Sequence, residues 1–115
     1  MNTTETKTIW NIGEGYRSFN PNETMRVLTH NPMVFFSWGV SEKVKTFGTD
    51  EYGEVKGMLL KVKGRKWGKY VLIMLNFLDW YEVHLVNEKF ELVEEVGNEI
   101  CFTDLVEIID NRIES

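Results

Sequence analysis

Between residues 57 and 96 the chain alternates apolar and polar side chains with only short interruptions, and that alternation is the strongest constraint on its fold. It divides into four predicted strands, 57–63, 69–75, 80–86 and 89–96. The connections "GRKWG", "NFLD" and "NE" are too short for crossovers, so the strands form antiparallel hairpins. Symmetric closure of each loop sets Lys63 opposite Lys69, Leu75 opposite Trp80 and Val86 opposite Lys89. On that register Met58, Leu60 and Val62 share an apolar face with Tyr70, Leu72 and Met74, then with Tyr81, Val83 and Leu85, then with Phe90 and Leu92. The other face is mixed: Lys61, Lys63, Lys69, Val71, Ile73, Glu82, His84, Lys89, Glu91 and Val93.

An apolar sheet face needs a cover, and the C-terminal stretch supplies one. Phe102, Leu105, Ile109 and Ile113 fall on one helical stripe, widened by Val106 and Ile108. Asp104, Glu107, Asp110 and Glu114 make its wet side, and Asn98 or Cys101 is the expected start. Near the N-terminus Asn20, Pro21 and Glu23 spell a helix start that ends at Asn31 and Pro32. "MVFFSWGV" is aromatic and β-branched and reads as a strand, followed by a strand fragment and a polar loop punctuated by Gly48, Asp50 and Gly53. "TIWNI" suits a short edge strand, and residues 1–8 are expected to fray. The expectation is one α+β domain over residues 1–115: an antiparallel meander of four or more strands, a short N-terminal helix and a C-terminal helix on one sheet face.

At 115 residues the chain can bury a single core. No apolar run reaches the roughly 20 residues of a membrane-spanning helix, and the first residues lack the basic start and apolar block of a secretory signal. One cysteine excludes an internal disulfide, which fits a cytoplasmic protein. The net charge of −5 conceals segregation. From Lys56 to Lys69 there are six basic residues and no acidic one; from Asp79 to Ser115 there are eleven acidic and two basic.

No catalytic or metal-binding spacing links His30, His84 and Cys101, and no cofactor is expected. His84 reads as an ordinary surface histidine and Cys101 as a small buried hydrophobe. Gly13 and Gly15 form a lone G-x-G, too little for a phosphate loop. The basic stretch "KVKGRKWGKY" carries more. Lys61, Lys63, Arg65, Lys66, Trp67 and Lys69, with Lys89 at the same end of the sheet, form a candidate contact surface. Three roles compete for it. Lysines discourage edge-to-edge strand pairing. Cations neutralise phosphates beside a tryptophan on which a base stacks. An acidic protein surface, including this chain's own C-terminal helix, would also fit. The leading expectation is a non-catalytic module that contacts nucleic acid weakly and without sequence specificity. The alternative is a protein-binding accessory factor or inhibitor, or a homodimer, using the acidic helix and the aromatic residues crowded between Trp10 and Phe47. No membrane partner is expected.

Over residues 25–113 the chain resembles a loose group of small phage and mobile-element proteins. In these a short helix leads into a glycine-bearing strand, here "MVFFSWGVSEKVKTFG", and a later strand carries the motif D-[aromatic or Leu]-Y-[acidic]-V, here Asp79-Trp80-Tyr81-Glu82-Val83. Ser37-Trp38-Gly39 stands where that group has a Met-Thr-Gly element. The resemblance implies the fold and a mobile-element origin, and no established activity.

Overall fold

The computed structural model describes residues 8–9, 16–40 and 44–114. Its element order is β1 (Tyr16–Arg17), α1 (Pro21–Thr29), α2 (Pro32–Ser37), β2 (Lys45–Phe47), β3 (Gly57–Lys61), β4 (Tyr70–Asn76), β5 (Tyr81–Val86), β6 (Leu92–Ile100) and α3 (Leu105–Ile113). The protein is an α+β fold in which β2 to β6 form an antiparallel meander in sequence order. β1 pairs with the end of β4, Tyr16 opposite Asn76 and Arg17 opposite Leu75. The fraying expected at the N-terminus, Trp10 to Ile12 of the "TIWNI" strand, and Gly13 and Gly15 lie outside the described residues. Thr8, from the same segment, makes an isolated bridge to Glu91. No helix among the described residues is long and apolar enough to cross a membrane.

The first helix follows its sequence signals. The Asn20 side chain accepts from the Asn22 amide at 2.9 Å and Pro21 opens the helix. The second Asn-Pro pair was expected only to stop it, but it also starts α2: Asn31 accepts from Val34 N at 3.4 Å and Pro32 takes the first position. "MVFFSWGV" is therefore a short helix and turn, not a strand. Val34, Phe35 and Trp38 turn toward the core at helical spacing while Met33 and Phe36 face out, so cap chemistry overrides β propensity. Trp38 is fully buried and donates its indole N–H to Asp110 Oδ1 at 2.9 Å, tying α2 to α3.

The pairing register differs from symmetric closure by one residue or more, and the turns explain it. Leu75 faces Tyr81, not Trp80, and Val86 faces Leu92, not Lys89. In both turns an asparagine side chain does the work. Asn76 Oδ1 accepts from Leu78 N at 2.9 Å and Trp80 N at 3.1 Å; Asn87 Oδ1 accepts from Lys89 N at 2.9 Å and Glu91 N at 3.0 Å. Each turn closes through a left-handed residue, Asp79 at φ 64° and Phe90 at φ 62°. Asp50 repeats the device before β3, accepting from Tyr52 N and Glu54 N with Gly53 at φ 82°. These are three-residue loops, one residue shorter than "NFLD" and one longer than "NE", and the change in length shifts each register. β6 accordingly begins later than expected and runs through Asn98 to Ile100, so α3 starts only at Leu105 with Asp104 as its cap.

The slip moves β4 across the sheet. Met58 pairs with Ile73 and Leu60 with Val71, so Val71 and Ile73 share the core face with Met58, Leu60, Val83 and Leu85. All three helices contribute to that core: Leu28 from α1, Val34 and Phe35 from α2 with Trp38 just after it, and Leu105, Ile109 and Ile113 from α3. Val71 and Ile73 are at 0% exposure and are not on an open face. Tyr70, Leu72 and Met74 go instead to the second face, where they pack with Leu59, Val86 and Ile9. That face is not open either: Leu72, Met74 and Val86 are also at 0% exposure. The helical stripe holds for Leu105, Ile109 and Ile113, whereas Phe102 precedes α3 and is 60% exposed.

Candidate functional site

The basic stretch divides into two parts with different surroundings. The 63–68 connection lies against the helical layer. Lys63 N donates to Trp38 O at 2.7 Å, and Lys66 N donates to Ile113 O at 2.7 Å. A Cβ on Gly64 would stand 2.5 Å from Ile113 O, so only glycine admits this approach. Trp67 is half-buried against the core and donates its indole N–H to Tyr70 O at 2.9 Å. It is a packing residue with only part of its ring accessible for stacking. The Arg65 and Lys66 side chains are exposed beside the C-terminal end of α3, where cations complement the helix dipole.

The other part gathers around two aromatic rings on the second face. The Lys45 ammonium stands 5.8 Å from the Tyr70 ring centroid and 5.9 Å from that of Phe90, and the Lys61 ammonium 6.0 Å from Tyr70. The two rings are 5.2 Å apart. The strand register puts them there, since Lys61 pairs with Tyr70, and Lys45 pairs with Leu59. Lys69 reaches Glu88 at 3.0 Å across the β5–β6 turn. The Lys69 hydrogen bond, then its charge and those of Lys89 and Lys61, hold the Glu88 carboxyl below the usual range. Lys69 thus pairs with Glu88, whose carboxyl also feels the charges of Lys89 and Lys61, while Lys45 and Lys61 flank Tyr70. Sequence reasoning placed Lys61, Lys69 and Lys89 together, named Lys43 and Lys45 as additions to the same field, and missed Tyr70 and Phe90. Lys63, Arg65 and Lys66 belong to the connection on the helical side. Lys43 lies outside the described residues.

A polar cluster occupies the same sheet face further along. Glu82 and His84, expected at the surface, are 8% and 9% exposed. Their cross-strand partners are Met74 and Leu72. His84 Nε2 lies 2.8 Å from Glu82 Oε2, and the Tyr16 hydroxyl donates to the same oxygen at 2.5 Å. Burial first, then the bond to Glu82 and the charges of Glu82 and Glu95, push the Tyr16 hydroxyl well above its ordinary pKa, so it is a donor at neutral pH. Glu95 faces His84 across the β5–β6 ladder. The signal in the sequence was two ionisable residues in a six-residue strand that is otherwise apolar.

On the helical side a groove of about 640 Å³ runs between α1, α2 and α3. Val27, Val34, Phe102 and Val106 floor it, and Arg26, His30, Glu107 and Asp110 rim it. Cys101 is half-exposed rather than buried, and the Thr103 hydroxyl donating to its sulfur at 3.3 Å lowers its pKa. No protein-family model matches the chain, and neither the curated proteins nor the solved structures contain a match to it.

Proposed function

We propose that this protein is a non-catalytic binding module that contacts single-stranded nucleic acid through Lys45, Lys61, Lys69 and Lys89 around Tyr70 and Phe90. The observation that carries the reading is that Lys45 and Lys61 stand about 6 Å from two adjacent aromatic rings, with Lys69 and Lys89 acting on Glu88 in the neighbouring turn. Ammonium groups neutralise phosphates; Tyr70 is buried at 9% exposure, which leaves the half-buried Phe90 ring as the face on which a base can stack with little sequence preference. Contacts of this kind position a strand without reading its sequence. Arg65 and Lys66 extend the positive field from the adjoining connection. A phage or mobile-element origin belongs to the same proposal and is supported by the Asp79-Trp80-Tyr81-Glu82-Val83 motif.

Fluorescence polarisation of labelled single- and double-stranded oligonucleotides tests it. Four phosphate contacts predict a log–log salt slope of about −3 on a single strand. Reversing Lys45, Lys61, Lys69 and Lys89 to glutamate is expected to abolish binding, and Phe90→Leu to weaken it at unchanged slope. Absence of binding at low salt would overturn the reading. The groove between the helices favours a second reading, a protein-binding accessory factor, because exposed Phe102 lines it beside Glu107 and Asp110 of α3, and α2 exposes Met33 and Phe36. In that case reversals at Glu107 and Glu114 would disturb partner capture and the lysine reversals would not.

A further inference from the structure

The polar cluster on the second sheet face is not explained by contact with a nucleic-acid strand. Glu82 and His84 are each about nine-tenths buried among Leu72, Met74 and neighbouring apolar side chains. A carboxylate withdrawn from water is costly unless its oxygens are satisfied. Here both hydrogen bonds of Glu82, from Tyr16 and with His84, fall on Oε2. Among the described residues neither Oε1 nor the Glu95 carboxylate has a protein hydrogen-bond partner, and since no buried side-chain oxygen there is left unsatisfied, Oε1 keeps access to solvent. One oxygen of a buried carboxylate, an imidazole and an exposed carboxylate are thus brought together with donor capacity left over. One ligand atom from each of the three lies within 4.8 Å of the other two.

We propose that Glu82, His84 and Glu95 bind a divalent transition-metal ion of the zinc class. Such an ion sits about 2.0–2.2 Å from oxygen and nitrogen ligands, which places the ligand atoms roughly 3.3 Å apart. Closing the site from its present spacing asks for a shift of the order of 1.5 Å, estimated from that ideal geometry. Glu95 is the residue able to make it. It is exposed, and the pairing of β5 with β6 shifts register between Val83 and His84, next to its partner. Glu82 and His84 are held by the strand, and the Tyr16 hydroxyl orients the carboxylate as an outer partner. One nitrogen and two oxygens suit zinc, whereas calcium and magnesium call for six or more oxygens. Three protein ligands leave a coordination position open.

The full chain is titrated with Zn²⁺ and, separately, Mg²⁺ by calorimetry, with the imidazole resonances followed by NMR. The chain has two histidines, so the readout separates the candidate site from any other. One equivalent of zinc should bind and move the His84 resonances while those of His30 stay in place. Glu95→Gln, an exposed change that spares the fold, should weaken zinc by about tenfold or more. His84→Gln should abolish the site, and its folded state is checked by circular dichroism. No zinc uptake, uptake that leaves His84 unmoved, equal affinity in Glu95→Gln, or magnesium bound as tightly as zinc would each overturn the assignment.

Discussion

The residues of the Asp79–Val83 motif show how much of a short pattern is structural. Asp79 occupies the left-handed turn position and pairs with Arg17. Val83 is core. Tyr81 packs edge-on against Phe19, and its hydroxyl shares a 2.8 Å hydrogen bond with Thr24, which is 1% exposed. Replacing Thr24 by valine strands the tyrosine hydroxyl and should cost about 1–3 kcal/mol in chemical denaturation. Thr24→Val with Tyr81→Phe should recover most of that loss, because removing both partners leaves nothing unsatisfied. Burial also raises the Tyr81 hydroxyl pKa against the opposing Thr24 bond, and Tyr16 is raised in the same direction. The sign of the linkage follows. The unfolded chain releases both protons near pH 10 and the folded chain retains them, so their contribution is complete below pH 10 and is lost as pH climbs toward the folded values. The melting temperature should fall above pH 10, and Tyr16→Phe should flatten that fall; an unchanged profile would remove Tyr16 from the account.

At the scale of elements, the strands and the terminal helix were legible in the sequence because their apolar patterns are strong, but the register was not. β4 reads "YVLIMLN" and buries its first six residues in succession, so period-two alternation gives it no face. Only turn chemistry could have fixed it. The recurrence of Asn76, Asn87 and Asp50, each three residues before a left-handed position, was the available sign; it was obscured because a phenylalanine, rather than glycine or asparagine, holds that position at Phe90. Asn76→Ala and Asn87→Ala each remove one acceptor from two turn amides. Each should lower stability by about 1–2 kcal/mol without changing the m-value, as read in urea. Ile109→Ala tests the helical cover in the same assay. At 1% exposure in the stripe of α3 it should cost about 2–5 kcal/mol, well above the loss from truncating Val106 on the groove side.

Across the whole molecule the one-residue slip changes what kind of protein this is. The predicted register left a sheet with one dry face and one wet face; the observed one buries both faces at β4 and β5. A contact surface must therefore lie at an end of the sheet, and the lysines around Tyr70 occupy such an end. The acidic residues of β6 and α3 lie elsewhere, and one of them is neutralised locally, Arg112 gripping Glu94 through Nε and Nη2 at 2.7 and 2.8 Å. The stability of such a layered sheet should decline from its centre outward. β4 and β5 have hydrogen-bonded neighbours on both sides and cover on both faces, whereas β2 and β6 are edges with exposed residues. Amide exchange should be slowest at Leu72, Ile73, Val83 and Leu85, opening only with global unfolding, and faster by orders of magnitude at Thr46 and Glu94. Zinc bound between β5 and β6 would join the edge strand to this centre, so protection at Glu94 and Val96 should rise on metal addition while that of Thr46 stays the same. A rise shared equally by both edges would mean that the ion stabilises the fold from somewhere other than Glu82, His84 and Glu95.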